Sequence, residues 1–358
     1  MTTKSGAPKY YDWARTFSYN ADVTMVITRR DRGKTYGIRM AALDDCFRYG
    51  YRFVEIVRTK NELPEVMHGY FEKLALSEKY SHYEFKAEGR RGYFRPASED
   101  PERESDAPWT TACYFVALAE AQQAKKRTYI NVRKIIFDEA LIEPSSHHRY
   151  LPREWQVLAN VVDTVTRETG DGEEVRPHLY MLSNACDLIN PYFAAWGINS
   201  VPKFGYSWHI GKRVLLHYED PSDAPNNRGE TTLAGRMIAG TDEGRTALEN
   251  SFIVAVDDDI AQKPAAAKFW AGLVYMGKQF GIWIDWVDGY YYVTRKIPSD
   301  ASIVYSLTRR DNSANRLIAR RATPAMRAIA QAHEERIIRY DSIGTREQLL
   351  DALRMFGI

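Results

Sequence analysis

Hydrophobic positions along the chain fall into two regimes. In the first, apolar runs alternate with amphipathic stretches: Val23–Thr28 (VTMVIT) reads as a buried strand, and a charged turn leads into 33–50, where Ile38, Ala41, Ala42 and Phe47 share one helical face. A second β-rich run covers Tyr51–Val57 and a helical stretch covers Leu63–Leu76. This β-α-β-α alternation predicts a parallel sheet with covering helices. Tyr83–Phe94 alternates as a hairpin, and 96–108 (PASEDPERESDAP) reads as an exposed acidic loop. The apolar run Lys134–Phe137 (KIIF), a helix over Glu154–Arg167 and a strand over His178–Leu182 follow. Together these compose an α/β domain ending near Ala195, with five strand candidates.

The second regime begins where Gly, Pro and Asn punctuate the chain. Residues 198–244, with PSDAPNNRG at 221–229, read as a connector with little core of its own. Beyond it, Phe252–Val256, Phe269–Met276, Phe280–Trp286 and Tyr290–Arg295 are short strands separated by turn pairs such as Met276-Gly277 and Asp288-Gly289, the pattern of an antiparallel meander. Asn315–Tyr340 and Thr345–Met355 read as helical, which makes this part α+β. The expected boundaries are 1–197, 198–244 and 245–358.

Composition changes the picture mainly by exclusion. Of 358 residues, 44% are hydrophobic and 27% charged, which argues against a disordered, collagen-like or membrane-embedded chain. The net charge is only +2, yet 309–339 holds eight arginines against three acids. That segment suits DNA, a structural RNA or an acidic protein face, or is simply a solvated helical surface. Cys46, Cys113 and Cys186 lie far apart, without the spacing of a disulfide framework or zinc site, which points to a reducing cytosol. The start, MTTKSGAPKYYDW, has no apolar signal core, and no window approaches the roughly 20 apolar residues of a membrane span. The pair His147-His148 lies in a polar loop with no ligand set for zinc.

Thr28–Thr35 reads T-R-R-D-R-G-K-T, the G-K-[ST] end of a Walker A loop with Thr28 in place of its first glycine. A G-K-[ST] tripeptide arises by chance in roughly one chain in six of this length, so context must decide. A strand precedes the loop and a helix follows, which would aim loop amides and a helix N-terminus at bound phosphates. In that setting Gly33 admits close backbone approach, Lys34 reaches the β- and γ-phosphates, and the Thr35 hydroxyl ligates Mg²⁺. Arg29, Arg30 and Arg32 are either phosphate contacts or ordinary loop charges. Tyr36 and Tyr19 either pack beside the adenine or belong to the core. About a hundred residues on, K-I-I-F-D-E (134–139) ends a buried strand in two carboxylates, as a Walker B strand does. Asp138 would hold Mg²⁺ through water and Glu139 would polarise the attacking water. An acid placed there favours a water-activating ATPase over a kinase, with ATP and Mg²⁺ as the implied ligands.

The ordered segments ITRRDRGKTY, FVEIVRTKNEL, YINVRKIIFDEALI, NVVDTVTRETG and YMLSNACDLINPYF resemble the DNA-encapsidation (genome-packaging) ATPases of phi-twenty-nine-type short-tailed phages, relatives of large terminases. Weaker similarity continues through LAGRMIAGTDEG (233–244) and GIWIDWVDGYYYV (281–293). The resemblance implies an ASCE-type P-loop ATPase domain, a small linker domain and a C-terminal α+β, RNase H-like vestigial nuclease domain. It further implies a homopentameric ring that pumps double-stranded DNA through the portal (connector) into an empty capsid, with a structural packaging RNA left open as a partner and no membrane involved. The expected location is the host cytoplasm, at the portal vertex during packaging and not in the mature virion.

On the matched segments, Arg167 corresponds to a trans-acting arginine finger and Asn184 to a γ-phosphate sensor. Arg58, Lys60 and Lys125 match basic residues of the subunit interface or DNA-facing pore, or are solvated surface charges. In the last domain Asp257, Asp258 and Asp259 end one strand and Asp285 lies within another. Consecutive acids on an extended strand face opposite ways, and nuclease activity is not expected. Trp270, Trp283 and Trp286 read as sheet core. Two competing functions stand beside the packaging motor: another P-loop nucleic-acid motor, such as a helicase or repair ATPase, and a portal- or RNA-binding scaffold with a degenerate ATP site.

Overall fold

The computed structural model describes residues 10–30, 32–98, 100, 105–143, 148–167, 176–188, 190–198, 200–223, 233–238, 240–241, 244, 250–252 and 259–358. The chain divides into two units, residues 1–186 with 202–253 and residues 187–201 with 254–358.

In the first unit the described strands are β1 (Val23–Ile27), β2 (Arg52–Val57), β3 (Tyr83–Glu88), β4 (Arg91–Pro96), β5 (Thr110–Ala117), β6 (Val132–Phe137), β7 (His178–Ser183), β8 (Gly205–His209) and β9 (Val214–Tyr218). They form one sheet in the order β3-β4-β5-β2-β6-β7-β1-β9-β8. Every neighbouring pair from β5 to β9 is parallel, and the antiparallel partners β3-β4 and β8 close the two edges. The parallel strands are apolar along nearly their whole length because both faces are covered; from Met25 to Ile27 nothing is exposed. β7 lies between β1 and β6, so the two strands that carry the candidate loops are separated by one strand.

Helix Lys34–Tyr49 covers one face, burying Ile38, Ala42, Leu43 and Cys46. It stops at Gly50, whose left-handed backbone lets its N–H reach the carbonyls of Asp45 and Cys46. Helix Glu154–Arg167 buries Leu158, Val161 and Val165, one stripe at helical spacing. The stretch expected to be one helix over 63–76 is two short ones, Glu62–His68 and Glu72–Ala75, parted at Gly69.

Three strands of this sheet depart from the sequence reading. β5 was not among the five candidates, and it pairs along β2 from Phe53↔Cys113 to Val57↔Ala117. The connector assigned to 198–244 supplies the β8-β9 hairpin, and β9 pairs in parallel with β1 from Val23↔Val214 to Ile27↔Tyr218. VLLHY therefore belongs to the first sheet, with Val214, Leu215 and Leu216 buried.

The second unit has a sheet in the order β14-β13-β10-β11-β12-β15, comprising β10 (Lys268–Tyr275), β11 (Lys278–Ile284), β12 (Tyr291–Thr294), β13 (Val304–Ser306), β14 (Leu317–Ile318) and β15 (Ile338–Tyr340). β10-β11-β12 is the expected antiparallel meander; β13 runs parallel to β10, β14 to β13 and β15 to β12. The Met276-Gly277 turn is pinned by the Asp311 carboxylate, which accepts both backbone N–H groups at 2.7 Å. Helices Pro324–Glu334 and Ile343–Arg354 pack Met326, Ile329, Leu349 and Leu353 against Leu273, Phe280 and Ile282.

The single helix expected over 315–340 is instead β14, a helix and β15. Thr323 caps the helix and Pro324 opens it, while Arg336 at φ 59° turns the chain into β15. Trp270 and Trp283 are partly buried in the sheet, but Trp286 is 76% exposed on the β11-β12 turn, because Asp285 accepts the N–H of Val287 and turns the chain outward there. Of the expected strand Phe252–Val256, residues 253–256 lie outside the described residues, as do Asp257, Asp258 and His147. Among the described residues no helix is long and apolar enough to cross a membrane.

Candidate active site

The C-terminal ends of β1, β2, β6 and β7 point the same way, and the loops that leave them meet around a cavity of about 340 Å³. Its walls include Asp138 and Glu139 from beyond β6, Ser183 and Asn184 from the end of β7, and Arg58 from beyond β2. Crevices outside the carboxyl ends of parallel strands are where open α/β sheets bind ligands.

Beside it, Gly33 caps helix Lys34–Tyr49 with φ 66°. A Cβ at that position would be strained by the backbone and would lie 2.8 Å from the ring of Tyr10, so glycine is required twice over. The loop is strapped from the N-terminal side: Tyr11 N–H donates to the Arg32 carbonyl at 2.8 Å and Trp13 Nε1 to the Lys34 carbonyl at 3.0 Å. Lys34 Nζ donates to Asn184 Oδ1 at 2.8 Å, across 150 residues of sequence. Burial lowers the Lys34 pKa, against the pull of Asp138. A partly desolvated ammonium is a strong partner for an anionic ligand.

Asp138 turns its Oδ1 back to accept the Glu139 N–H at 3.0 Å. Glu139 has φ 52°, a left-handed conformation that costs a non-glycine residue about 1 kcal/mol or more. Although its side chain reaches solvent, its pKa is raised, first by desolvation in the cavity wall and then by Asp138, Glu143 and Glu62, with Arg58 acting the other way. A more basic carboxylate is the better proton acceptor. Thr35, one residue into the helix, carries a hydroxyl and Asp138 a carboxylate, both hard-oxygen ligands of the kind Mg²⁺ takes. Such an ion keeps several waters and substrate oxygens of its own, so two protein ligands suffice. Among the described residues there is no cluster of three or more His, Cys, Asp or Glu that could hold a metal.

The arginines divide differently from expectation. Arg32 is not placed as a phosphate contact: it is buried and grips Glu219, just past β9, through Nε at 2.9 and 3.0 Å and Nη2 at 2.7 Å. Arg30 is half-exposed at the cavity and paired with Glu143. Arg29 is buried, and burial lowers its pKa, with Arg32 adding to the effect. Thr28, in the place of the missing glycine, is fully buried with its hydroxyl turned to the Arg29 carbonyl.

Arg58, expected at a subunit interface or DNA-facing pore or as a solvated charge, is instead buried against Glu154 at the cavity wall. Lys60 and Lys125 are exposed, Lys60 lying 3.6 Å from Glu120. Arg167 ends its helix with a side chain 72% exposed, paired with Asp163 one turn back. Tyr36 is exposed, and Tyr19 stacks on Tyr206 of β8 with ring centroids 4.6 Å apart.

Sequence reasoning missed several residues of this region. Glu55 is an acid inside an apolar strand, RFVEIV; it is buried with Arg39 and accepts the Tyr70 hydroxyl at 2.8 Å, and burial raises its pKa in spite of Arg39. A lone acid in such a run is a signal that a partner will be found. Glu154 and Glu219 carry no comparable signal, since their arginines lie 96 and 187 residues away.

Residues 6–356 match the profile of the family described as Podovirus DNA encapsidation protein (Gp16). The chain belongs to this family. It is 29% identical over 351 residues to the DNA packaging proteins of Bacillus phages PZA and phi29, with 98% of both chains covered in each case. Its fold is similar to a chain of the bacteriophage Phi-29 viral genome packaging motor assembly, with TM-score 0.64 and 26% identity, covering 98% of this chain and 100% of that one. The cavity and its loops thus belong to an encapsidation-family protein matched along nearly its entire length.

Proposed function

We propose that this encapsidation-family protein is an ATPase whose turnover drives double-stranded viral DNA through the portal vertex into an empty capsid. The observation that carries the reading is the Lys34–Asn184 contact beside the Asp138-Glu139 turn, at the ends of strands β1, β7 and β6. One intervening strand between the loop strand and the acid-bearing strand is the arrangement expected of an ASCE-type P-loop domain.

ATP phosphates would lie on the amides of 33–35, with Lys34 compensating their charge and Mg²⁺ held by Thr35 and, through water, Asp138. Bound Mg²⁺ supplies neutralisation of the phosphate oxygens. Glu139 orients a water and takes its proton. Asn184 exchanges its lysine contact for the γ-phosphate, which makes it a sensor of the nucleotide state. Arg167, exposed at its helix end, is offered to a neighbouring subunit as the arginine finger, in a ring that we take to be pentameric.

The strand order β12-β11-β10-β13-β14, with an antiparallel meander followed by two parallel strands, supports an RNase H-like C-terminal domain. β10 carries no acid in KFWAGLVY, and Asp285 is taken up by its own turn, which favours a vestigial rather than an active nuclease. Arg309 and Arg310 follow β13 while Arg320 and Arg321 follow its parallel partner β14, so four exposed arginines lie at one end of the sheet, a cluster that suits a phosphate backbone. A packaging RNA and the portal are the further partners of this reading, in the host cytoplasm at the procapsid vertex. Lys60 and Lys125 remain candidates for subunit or DNA contacts.

ATP turnover with and without double-stranded DNA tests the proposal. DNA-stimulated hydrolysis that disappears in Glu139→Gln, with nucleotide binding retained, is the expected result. Full turnover in that variant would overturn it.

A further inference from the structure

We propose that Arg58 is a positioning residue for catalysis: its guanidinium clamps the Asp138-Glu139 turn to the buried start of helix Glu154–Arg167 and so holds Glu139 in its working geometry. This rests on the reading of Glu139 as the water-activating base.

Arg58 lies just past β2 with 5% of its surface exposed. Its Nε donates to both carboxylate oxygens of Glu154, at 3.1 and 3.0 Å, and Nη2 donates to Glu154 Oε1 at 3.0 Å. The outer edge of the same fork reaches the turn: Nη2 donates to the Ala140 carbonyl at 2.8 Å, and Nη1 lies 3.3 Å from the Glu139 carbonyl. The rings of Phe137 and Tyr150 lie close to the group, with centroids 5.2 and 5.4 Å from Cζ. Its own backbone is held as well, since Arg58 N–H donates to Glu62 Oε2 at 3.1 Å.

The anchor is rigid. Glu154 is fully buried and also accepts the Leu151 N–H at 2.7 Å, at the head of a 14-residue helix. What the clamp holds is the part of the site that would otherwise relax. A non-glycine residue keeps a left-handed backbone only where its surroundings over-determine it, and the carbonyls of Glu139 and its successor are the groups that Arg58 engages. Only a planar fork of five donors meets a carboxylate on one side and two carbonyls on the other; a lysine ammonium, with three donors at one point, does not span them.

The test is steady-state ATP hydrolysis by the full chain carrying Arg58→Lys, and separately Arg58→Met with Glu154→Met, with thermal melting in parallel. Arg58→Lys keeps the charge pair but loses the span. The double variant removes both charges and strands neither. Both are expected to fold, with KM for ATP within about twofold of wild type and kcat lowered about ten- to a hundredfold, the scale of a small misplacement of a catalytic group.

Wild-type kcat in either folded variant overturns the proposal. So does unfolding of Arg58→Lys, or a loss that appears only in KM, since each assigns Arg58 to the core or to ligand binding. Glu139→Gln is the reference: if it hydrolyses ATP at full rate, the assignment of the base fails, whereas an inactive Glu139→Gln beside a fully active Arg58→Lys refutes the clamp alone.

Discussion

Removing Arg32 separates two accounts of the loop that precedes the helix. The side chain is read from sequence as a phosphate contact or a loop charge, and in the structure it is a buried bidentate partner of Glu219, with side-chain exposures of 4% and 7%. Arg32→Ala leaves Glu219 buried without its bidentate partner, which costs about 3–5 kcal/mol. In a unit of this size each kcal/mol is worth roughly 2–4 °C in melting temperature, so the transition of the first unit should fall by about 6–20 °C. Glu219 is itself tied in place: its N–H donates to the Ile27 carbonyl at 3.0 Å, and its carbonyl accepts Asn250 Nδ2 at 2.9 Å. It therefore has no easy route to water. Arg32→Met combined with Glu219→Met removes both charges and should recover most of the loss. Thermal melts followed by tryptophan fluorescence measure the stability, and titration with a fluorescent ATP analogue measures nucleotide binding. The double variant is expected to bind within about threefold of wild type, on the ground that no phosphate ligand has been lost. An Arg32→Ala protein that melts within about 2 °C of wild type but binds nucleotide more than about tenfold more weakly would refute the reasoning and return Arg32 to the phosphates.

Further outcomes follow from the same geometry. His217 accepts or donates a 2.6 Å hydrogen bond with the Tyr11 hydroxyl, and its pKa is lowered to about 4, by burial first and Arg15 second. It stays neutral in the fold while the unfolded chain takes up a proton below about pH 6.5, so stability is full above that value and declines as pH falls toward 4, by on the order of 2 kcal/mol at pH 5. Melting curves between pH 7.5 and 5 should show this decline flattened in His217→Gln; parallel curves would contradict it. Asn184→Ala should lower kcat by about a hundredfold with nucleotide binding largely kept, if the amide serves the γ-phosphate in the transition state. A change confined to KM would contradict that role. Arg167→Ala should abolish turnover although the side chain touches no part of its own cavity wall, and mixing it with Glu139→Gln subunits should restore activity at shared sites. Mixtures with no recovery would argue against a finger acting in trans.

What could be seen in the sequence follows the physics of each element. β1, β2, β6 and β7 are buried on both faces over most of their length, so they stand out as mainly apolar runs, and the two candidate loops are found by their position after two of them. β5 is as deeply buried, but TTACYFVA opens with two threonines directly behind the acidic loop and lacks a clean apolar start. β9 is apolar too, yet its place in the first sheet depends on pairing with β1 almost two hundred residues earlier, which no local pattern records. Distance along the chain, 187 residues for Arg32 and 96 for Arg58, likewise hides their carboxylate partners. A lone arginine near a phosphate loop looks like a ligand until its carboxylate is located in space. Trp286 fails for the opposite reason: aromatic residues usually mark core, but a two-residue offset past a strand end places this one on a turn. Lys34, Asp138 and Glu139 stand out in the sequence by short-range order, a strand and then its loop; in the structure Asp138 and Glu139 line one cavity and Lys34 donates to Asn184 of its wall.

The central claim is that the cavity bounded by Asp138, Glu139 and Asn184 turns over ATP in the service of moving DNA. The most direct measurement is ATP hydrolysis by wild type and Glu139→Gln, each with and without double-stranded DNA, alongside binding of a non-hydrolysable analogue. The account predicts hydrolysis that rises with DNA in wild type, no hydrolysis above background in Glu139→Gln, and analogue affinity in the variant within a few-fold of wild type. Equal hydrolysis by the two proteins, or a wild type that binds neither nucleotide nor responds to DNA, would contradict it.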